Sequence, residues 1–207
     1  MINKILERLK ILFSTKSSRR NMWPMAEKLP TEHIKNCKLV EDRYQLLREI
    51  HTRGTCAEIG ILKGDFSREI LDTIKPKKLH LVDVDSEAIK IARVRFKEYI
   101  SDGFVSTHEE DSSKWLQSMP DETFDWIYID GDHSYEGVKK DLEAAHPKLK
   151  PEGMISLNDY IFFGPSDLTK YGVIEATNEF CLKYGYELVH FALHGRMYND
   201  VTIRRMK

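Results

Sequence analysis

The chain of 207 residues combines 41% hydrophobic with 31% charged residues, a composition that excludes a disordered chain and indicates one folded domain. Its 32 basic and 33 acidic residues nearly cancel, so the net charge gives no indication of a nucleic-acid partner. Three cysteines without the paired spacing of zinc ligands argue against a disulfide scaffold or a zinc module, and they favour a cytoplasmic location.

The first twenty residues form a separate basic segment, with six basic residues and one acidic residue. Apolar residues recur there at helical spacing and predict a basic amphipathic helix, so residues 1–30 are interpreted as an arm and linker and residues 31–207 as the domain. We expect the arm to pack on its own domain or on a second subunit of a homo-oligomer, with peripheral contact to an anionic membrane as the alternative. The segment is too short and too charged to span a bilayer, and it lacks a secretory cleavage pattern.

From residue 31 onward, predicted helices and strands alternate, a pattern that indicates a mostly parallel sheet with helices on both faces. In chain order the predicted elements are a helix over 40–50, a strand over 55–59, a helix from 65, a strand over 78–84, a helix over 86–100, a strand over 104–107, a helix over 111–117, a strand over 124–129, a helix over 135–149, a strand over 154–157, a helix over 172–184, and strands over 187–192 and 201–205. The last two strands suggest a hairpin that places an antiparallel strand at the sheet edge.

The first strand of the sheet leads into a glycine-containing turn, where ligands of open parallel sheets bind. Glu58 stands where a dinucleotide-binding turn has its first glycine, and Gly60 and Gly64 allow the backbone to bend and approach a ligand. A carboxylate there would repel a pyrophosphate and attract a cationic amino acid, which favours S-adenosylmethionine (SAM) over NAD. We assign Glu58, Gly60, Gly64 and Ser67 to the cofactor, although a plain strand-to-helix turn would explain the glycines equally well.

The next two strands end in further polar residues. Asp83 follows the glycine turn by about twenty residues, the position from which a carboxylate accepts hydrogen bonds from ribose hydroxyls. Asp85 is interpreted as a helix N-cap. Asp111 and Ser112 follow the third strand, where they would contact the adenine or, alternatively, begin the next helix.

The fourth and fifth strands run into Asp130 and into the pair Asn158 and Asp159. If these strands are neighbours, their carboxylates stand about 5 Å apart and would repel each other unless a cation lies between them. Carboxylate and amide oxygens suit Mg²⁺, whereas the lack of a thiolate disfavours zinc. Ordinary polar strand ends are the alternative interpretation.

His133 lies three residues beyond Asp130, at the start of the next predicted helix. Histidine suits general-base catalysis near neutral pH, so His133 is the candidate base. Ser134 is predicted to cap the following helix, and Glu136 in its first turn is left outside the site. A histidine that merely begins a helix is the alternative.

Over roughly residues 55–160 the chain resembles the class I SAM-dependent methyltransferases. The segments EIGILKGDFS, LVDVD, DWIYIDGDHSYEGVKKDL and NDY look like methyltransferase family 24, which is similar to metal-dependent O-methyltransferases of macrolide and aminocoumarin sugars. The resemblance implies a Rossmann-like seven-stranded sheet of order 3-2-1-4-5-7-6 with strand seven antiparallel. It also implies Mg²⁺ on Asp130, Asn158 and Asp159, Asp130 beside the cofactor, and a base at His133. The first member of the Asn158-Asp159 pair is neutral, which departs from the acidic pair of many relatives.

The sequence therefore predicts a SAM-dependent O-methyltransferase that acts on a small-molecule hydroxyl, such as that of a sugar or glycoside, with Mg²⁺ and a histidine base. The loop over 161–171 would cover the acceptor. Two alternatives stay open: a metal-independent methyltransferase of the same fold, and a nucleotide-binding oxidoreductase, against which Glu58 counts. A non-catalytic partner subunit is a third and weaker interpretation.

Overall fold

The computed structural model describes residues 25–166 and 168–207, together with residues 6, 9–10, 12–15 and 18. Most of the predicted arm lies outside the described residues, including the helix positions Ile2 and Ile5 and five of the six basic residues of the first twenty. The arm positions Leu6, Leu9, Leu12 and Phe13 are described, and their side chains are exposed. No helix within the described ranges is long and apolar enough to cross a membrane.

From residue 25 onward, the described part of the chain contains ten strands and seven α-helices. The strands are β1 (Lys38–Val40), β2 (Thr55–Ile59), β3 (Lys78–Asp83), β4 (Val105–Glu109), β5 (Phe124–Ile129), β6 (Leu149–Leu157), β7 (Phe163–Gly164), β8 (Thr169–Lys170), β9 (Tyr186–Ala192) and β10 (Asp200–Arg205). The helices are α1 (Arg43–Glu49), α2 (Asp65–Thr73), α3 (Ser86–Arg95), α4 (Lys97–Ser101), α5 (Ser112–Ser118), α6 (Tyr135–Ala145) and α7 (Val173–Tyr184).

Eight strands form one sheet in the order β1-β9-β10-β6-β5-β2-β3-β4, and β7 pairs with β8 in a small separate hairpin. Within the large sheet β10 is antiparallel to both its neighbours, while the other pairs are parallel. Without β1, this is the 3-2-1-4-5-7-6 order with an antiparallel seventh strand, so the predicted α/β class and topology are confirmed. The sheet has eight strands rather than seven.

Two predictions at the sheet edge are wrong. The antiparallel strand does not lie at the edge, because β10 is enclosed between β6 and β9. The edge position is taken by the unpredicted β1, in which Val40 pairs with Ala192. The helix predicted over 40–50 accordingly begins at Arg43, where the Asp42 side chain caps it by accepting a hydrogen bond from the Gln45 amide.

Other boundaries differ for local reasons. The helix predicted over 86–100 is interrupted at Phe96, whose fully buried ring anchors a non-helical residue between α3 and α4. The helix predicted over 135–149 ends at Ala145 and continues as a short 3₁₀ turn containing Pro147. The strand predicted over 154–157 begins earlier, at Leu149, where it pairs with Phe124 of β5.

The core consists of two apolar layers, one on each face of the sheet. Strand β5 supplies both, since Trp126 and Tyr128 face one layer and Ile127 and Ile129 face the other. All four side chains are at most 3% exposed, so this strand runs through the centre of the domain. Central burial fixes the position of the residues that follow it, beginning with Asp130.

Candidate active site

A cleft of about 670 Å³ opens at the carboxyl ends of β2, β3 and β5 and at the start of α5. Five residues that the sequence assigns to the cofactor line it, together with apolar side chains of the strand ends. The five are Gly60, Asp83, Asp111, Ser112 and Asp130; the apolar residues are Ile59, Leu62, Val82, Val84 and Ala88. Asp85, Glu110 and Asp132 line the cleft too, so it combines apolar side chains with six carboxyl groups.

The glycines of the first turn are required by the backbone itself. Gly60 has φ +81°, and a Cβ atom there would lie 2.0 Å from the backbone oxygen of Asp130. Gly64 has φ +74°, and a Cβ atom would lie 2.9 Å from the Phe96 ring. Gly60 lines the cleft, whereas Gly64 contacts the core beneath α3.

Asp83 is held in place by two backbone amides. Its carboxylate accepts hydrogen bonds of 2.9 Å from the amide of Ile61 and of 2.9 Å from the amide of Asp85. The first bond ties β3 to the glycine turn of β2. Asp85 caps α3 by accepting from the Glu87 amide, as predicted. The Asp83 carboxylate is thus fixed at the edge of the cleft.

Asp111 and Ser112 have structural partners as well as a place in the cleft. Asp111 caps α5, and hydrogen bonds from the Ser113 hydroxyl and the Lys114 amide lower the pKa of its carboxyl. The Ser112 hydroxyl donates to Asp141 over 2.6 Å. Burial raises the pKa of Asp141 to about 6. The helix-start interpretation is confirmed, and adenine contact stays a prediction.

Glu58 and Ser67 lie below the cleft rather than in its wall. The Glu58 carboxyl is 1% exposed, and its Oε2 has no hydrogen-bond partner among the described residues. Burial raises the pKa of Glu58 to about 8, while the neighbouring Ser67 hydroxyl and the charge of Arg43 act against this rise and the charge of Asp130 adds to it. Ser67 is fully buried in α2, beside the Glu58 carboxyl.

The second half of the predicted site comes together at the ends of β5 and β6, which are parallel neighbours as expected. The Nε2 atom of His133 lies 3.3 Å from Asn158 Oδ1, 3.4 Å from Asp130 Oδ1 and 3.7 Å from Asp159 Oδ2. Burial disfavours the charged imidazole, but hydrogen bonds and charges from these partners outweigh it and raise the pKa of His133.

Asn158 is oriented by a buried network that the sequence did not reveal. Its Nδ2 donates to Tyr128 Oη over 3.3 Å and to Asp200 Oδ1 over 3.2 Å, while Tyr128 Oη donates to Asp200 Oδ2 over 2.7 Å. These bonds direct the amide oxygen of Asn158 towards His133. Asp159 follows with φ +57°, a left-handed conformation that non-glycine residues adopt rarely.

The segment 161–171 lies beside this cluster. It contains the β7–β8 hairpin and ends at Tyr171, whose ring stacks on the His133 ring with a centroid distance of 4.9 Å and an interplanar angle of 17°. The backbone oxygen of His133 accepts a 2.8 Å hydrogen bond from the Gly172 amide. The ring of His133 is therefore fixed both by its polar partners and by stacking.

Arg43 is a site residue that the sequence analysis missed. It is the first residue of α1, its guanidinium carbon lies 5.2 Å from the centre of the Phe66 ring, and its Nε lies 3.6 Å from Asp200 Oδ2. Burial opposes its charge, but the surrounding groups, Asp200, Asp130 and Asp159 among them, raise the pKa of Arg43 above its ordinary value. No local motif marks this arginine, because its site neighbours are far away in sequence.

Comparison with known proteins identifies the family. The model of a family described as a methyltransferase domain, family 24, matches residues 57–160, half of the chain. Polyamine aminopropyltransferase of Prochlorococcus marinus subsp. pastoris is 34% identical over 88 residues, which make up 41% of this chain and 31% of that protein. The chain thus matches about a third of the length of this curated relative.

Solved structures share the fold at low identity. A SAM-dependent methyltransferase from Aquifex aeolicus matches with a TM-score of 0.61 and 16% identity, over 92% of this chain and 98% of that one. TrmK of M. capricolum, solved with S-adenosyl-homocysteine (SAH), matches with a TM-score of 0.59 and 13% identity, over 82% of this chain and 70% of that one. The family match, the sheet order and the cleft agree: the chain belongs to methyltransferase family 24 and has the fold of SAM-dependent methyltransferases.

Proposed function

We propose that the protein transfers the methyl group of SAM to a hydroxyl of a small molecule, a sugar or glycoside in particular. The observation that carries this proposal is the meeting of His133, Asp130, Asn158 and Asp159 at one end of the cleft. Asp130 belongs to both halves, because it lines the cleft and contacts the imidazole. A base and hydroxyl-binding oxygens at the end of a cofactor cleft suit transfer to an oxygen nucleophile.

The reaction is a direct displacement in which the acceptor oxygen forms a bond to the methyl carbon and the carbon–sulfur bond breaks, releasing SAH. The His133 imidazole would take the hydroxyl proton, and Asp130 and Asp159 would stabilise the resulting imidazolium. Much of the rate acceleration would come from holding the acceptor oxygen and the methyl group in line. Stacking on Tyr171 limits rotation of the imidazole and so fixes the direction of proton transfer.

On the cofactor side, Asp83 would accept hydrogen bonds from the ribose hydroxyls, since amides already hold its carboxylate at the cleft edge. Asp111 and Ser112 would lie beside the adenine. Because burial raises the pKa of Glu58 to about 8, its carboxyl is mostly protonated near neutral pH, so it would lie below the turn without attracting the cationic end of the ligand by charge.

The oxygens of Asp130, Asn158 and Asp159 would bind Mg²⁺ in this proposal. Oxygens of Asp130, Asn158 and Asp159 lie within 3.7 Å of one point, His133 Nε2, and two carboxylates with an amide form a hard oxygen donor set. Within the described ranges, no group of three or more His, Cys, Asp or Glu side chains is placed to hold a metal ion, so Asn158 would have to serve as the third ligand. When bound, Mg²⁺ would polarise the acceptor hydroxyl.

A second candidate is metal-independent transfer by the same residues. It is favoured by the position of His133 Nε2, which itself occupies the point that the three oxygens share. In that case the imidazole and the neighbouring Arg43 would balance the charge of the carboxylates. The two candidates differ in one measurable respect, the effect of a chelator on turnover.

The test is methyl transfer from labelled SAM to a panel of nucleotide sugars and glycosides, measured in EDTA and after addition of Mg²⁺. If the proposal holds, labelled product carries an O-methyl group, Mg²⁺ restores turnover, and Asp130→Asn is not stimulated while the exposed control Asp72→Asn behaves like the wild type. Full turnover in EDTA would replace the metal-dependent candidate by the metal-independent one. Methylation of amines but of no hydroxyl would contradict both.

A further inference from the structure

The guanidinium group of Arg43 has an unusual environment for a largely buried cation. Its side chain is 26% exposed and rests over the Phe66 ring. The nearest acidic atom is Asp200 Oδ2, 3.6 Å from Nε, which is beyond hydrogen-bond range. No hydrogen bond links Arg43 side-chain nitrogens to any residue in the described ranges.

Asp200 is the ion-pair partner of Arg43, but at 3.6 Å it accepts no hydrogen bond from the guanidinium. Both of its carboxylate oxygens already accept hydrogen bonds, Oδ2 from Tyr128 and Oδ1 from Asn158. An arginine presents a planar fork of N–H donors that matches a carboxylate or phosphate in two-point contact. The Arg43 side chain is partly exposed, so its N–H donors are open to solvent and available to an anionic group of a ligand.

The Arg43 guanidinium lies close to both halves of the candidate site. Phe66, on which it rests, lies in the first turn of α2, directly after the glycine turn of the cofactor cleft. Asp200, 3.6 Å from Arg43 Nε, also accepts a hydrogen bond from Asn158, which links Arg43 to the acceptor end of the site. Arg43 thus stands where the cofactor half and the acceptor half of the site meet.

We propose that Arg43 is an oxyanion-binding residue that makes a two-point contact with a carboxylate or phosphate group of a bound ligand. Two ligands could supply this group: SAM itself, through its amino-acid carboxylate, or an acceptor that carries an acidic group. The inference rests on the proposed function only in taking the cleft as the SAM site. Its other consequence is selectivity, because an acceptor with an anionic group would be preferred over its neutral analogue.

The test uses the full-length protein and calorimetric titration. SAH and its analogue that lacks only the carboxylate, S-adenosyl-3-thiopropylamine, are titrated into the wild type and into Arg43→Gln. Arg48→Gln is the matched control, since Arg48 lies on the same helix with an exposed side chain. In a second arm, inorganic phosphate is titrated into each protein saturated with SAH. Thermal unfolding verifies that the variants fold, and Arg43→Lys, which keeps the charge without the fork, should restore binding only in part.

If Arg43 holds the cofactor carboxylate, the wild type prefers SAH over the analogue by about 10-fold to 100-fold, and Arg43→Gln loses this preference. If it holds an acceptor anion, Arg43→Gln keeps the preference but loses phosphate binding. An Arg43→Gln protein that matches Arg48→Gln in both arms would overturn the inference. Failure of SAH to bind the wild type would refute the proposed function instead, and the phosphate titration of the protein without SAH would then decide the role of Arg43.

Discussion

Replacement of the buried Glu58 by glutamine tests whether the raised pKa of this carboxyl makes the stability of the fold decrease with rising pH. The Glu58 carboxyl has a pKa of about 8 in the folded chain, against an ordinary value of 4.5. Between these two values the folded state binds a proton that the unfolded state has released, so stability must fall as the pH rises. The Glu58→Gln variant has no such group, and its stability should not contain this decline.

The magnitude follows from the two pKa values. Each unit of difference corresponds to about 1.4 kcal/mol, so the contribution of Glu58 to the free energy of unfolding should decrease by about 3 kcal/mol between pH 5 and pH 8. Burial is the main cause of the raised pKa of this carboxyl; the Ser67 hydroxyl and the charge of Arg43 oppose it, and the charges of Asp130 and Asp83 add to it. The glutamine side chain of the variant adds a packing or hydrogen-bonding change that does not depend on pH.

Urea unfolding at pH 5 and pH 8 measures the effect, with Glu109→Gln, an exposed carboxyl at the end of β4, as the matched control. We expect Glu58→Gln to gain about 3 kcal/mol relative to the wild type on going from pH 5 to pH 8, and the control to gain nothing. An equal pH dependence in all three proteins would refute the reasoning, because the Glu58 carboxyl would then be ionised and solvated in the folded state.

The other predictions concern the turn, the cleft and the base. Gly60→Ala should destabilise the fold by several kcal/mol in thermal unfolding, since a Cβ atom there would lie 2.0 Å from the Asp130 backbone oxygen. Gly103 has nearly the same φ but open space around it, so Gly103→Ala should lose only about 1 kcal/mol of stability. Equal losses in the two variants would contradict this. Asp141→Asn should gain stability relative to the wild type by about 2 to 3 kcal/mol on going from pH 4 to pH 8, because burial raises the pKa of Asp141 to about 6. A difference that stays constant with pH would exclude that cause. His133→Ala should lower kcat by about 10²- to 10⁴-fold with SAH affinity nearly unchanged, and undiminished turnover would remove it from the mechanism.

Much of the fold could be predicted because the central strands carry strong local patterns. Strands β2 and β5 begin and end where the sequence predicts, since both are short, mostly apolar runs and are followed by Gly60 and by Asp130. Strand β1 could not be found in this way. It has three residues, two of them exposed, and its pairing partner β9 lies about 150 residues away in the chain.

Some residues of the candidate site could likewise be predicted from the sequence, and others could not. The rule that ligands bind at the carboxyl ends of parallel strands brought Asp83, Asp130 and Asp159 together from sequence alone. Arg43 and Asp200 were missed because they come from α1 and β10, elements at opposite ends of the chain whose meeting depends on the complete sheet. The local sequence around either residue does not indicate that the two are in contact.

Calorimetric titration of SAM and SAH into the purified protein, repeated after EDTA treatment and again with Mg²⁺, decides whether the cleft binds the cofactor. We expect saturable binding of both at one site per chain, and weaker binding when Asp83, whose carboxylate lies at the cleft edge, is replaced by alanine. Absence of binding under all three conditions, with the protein folded, would contradict the claim that this cleft is a SAM site.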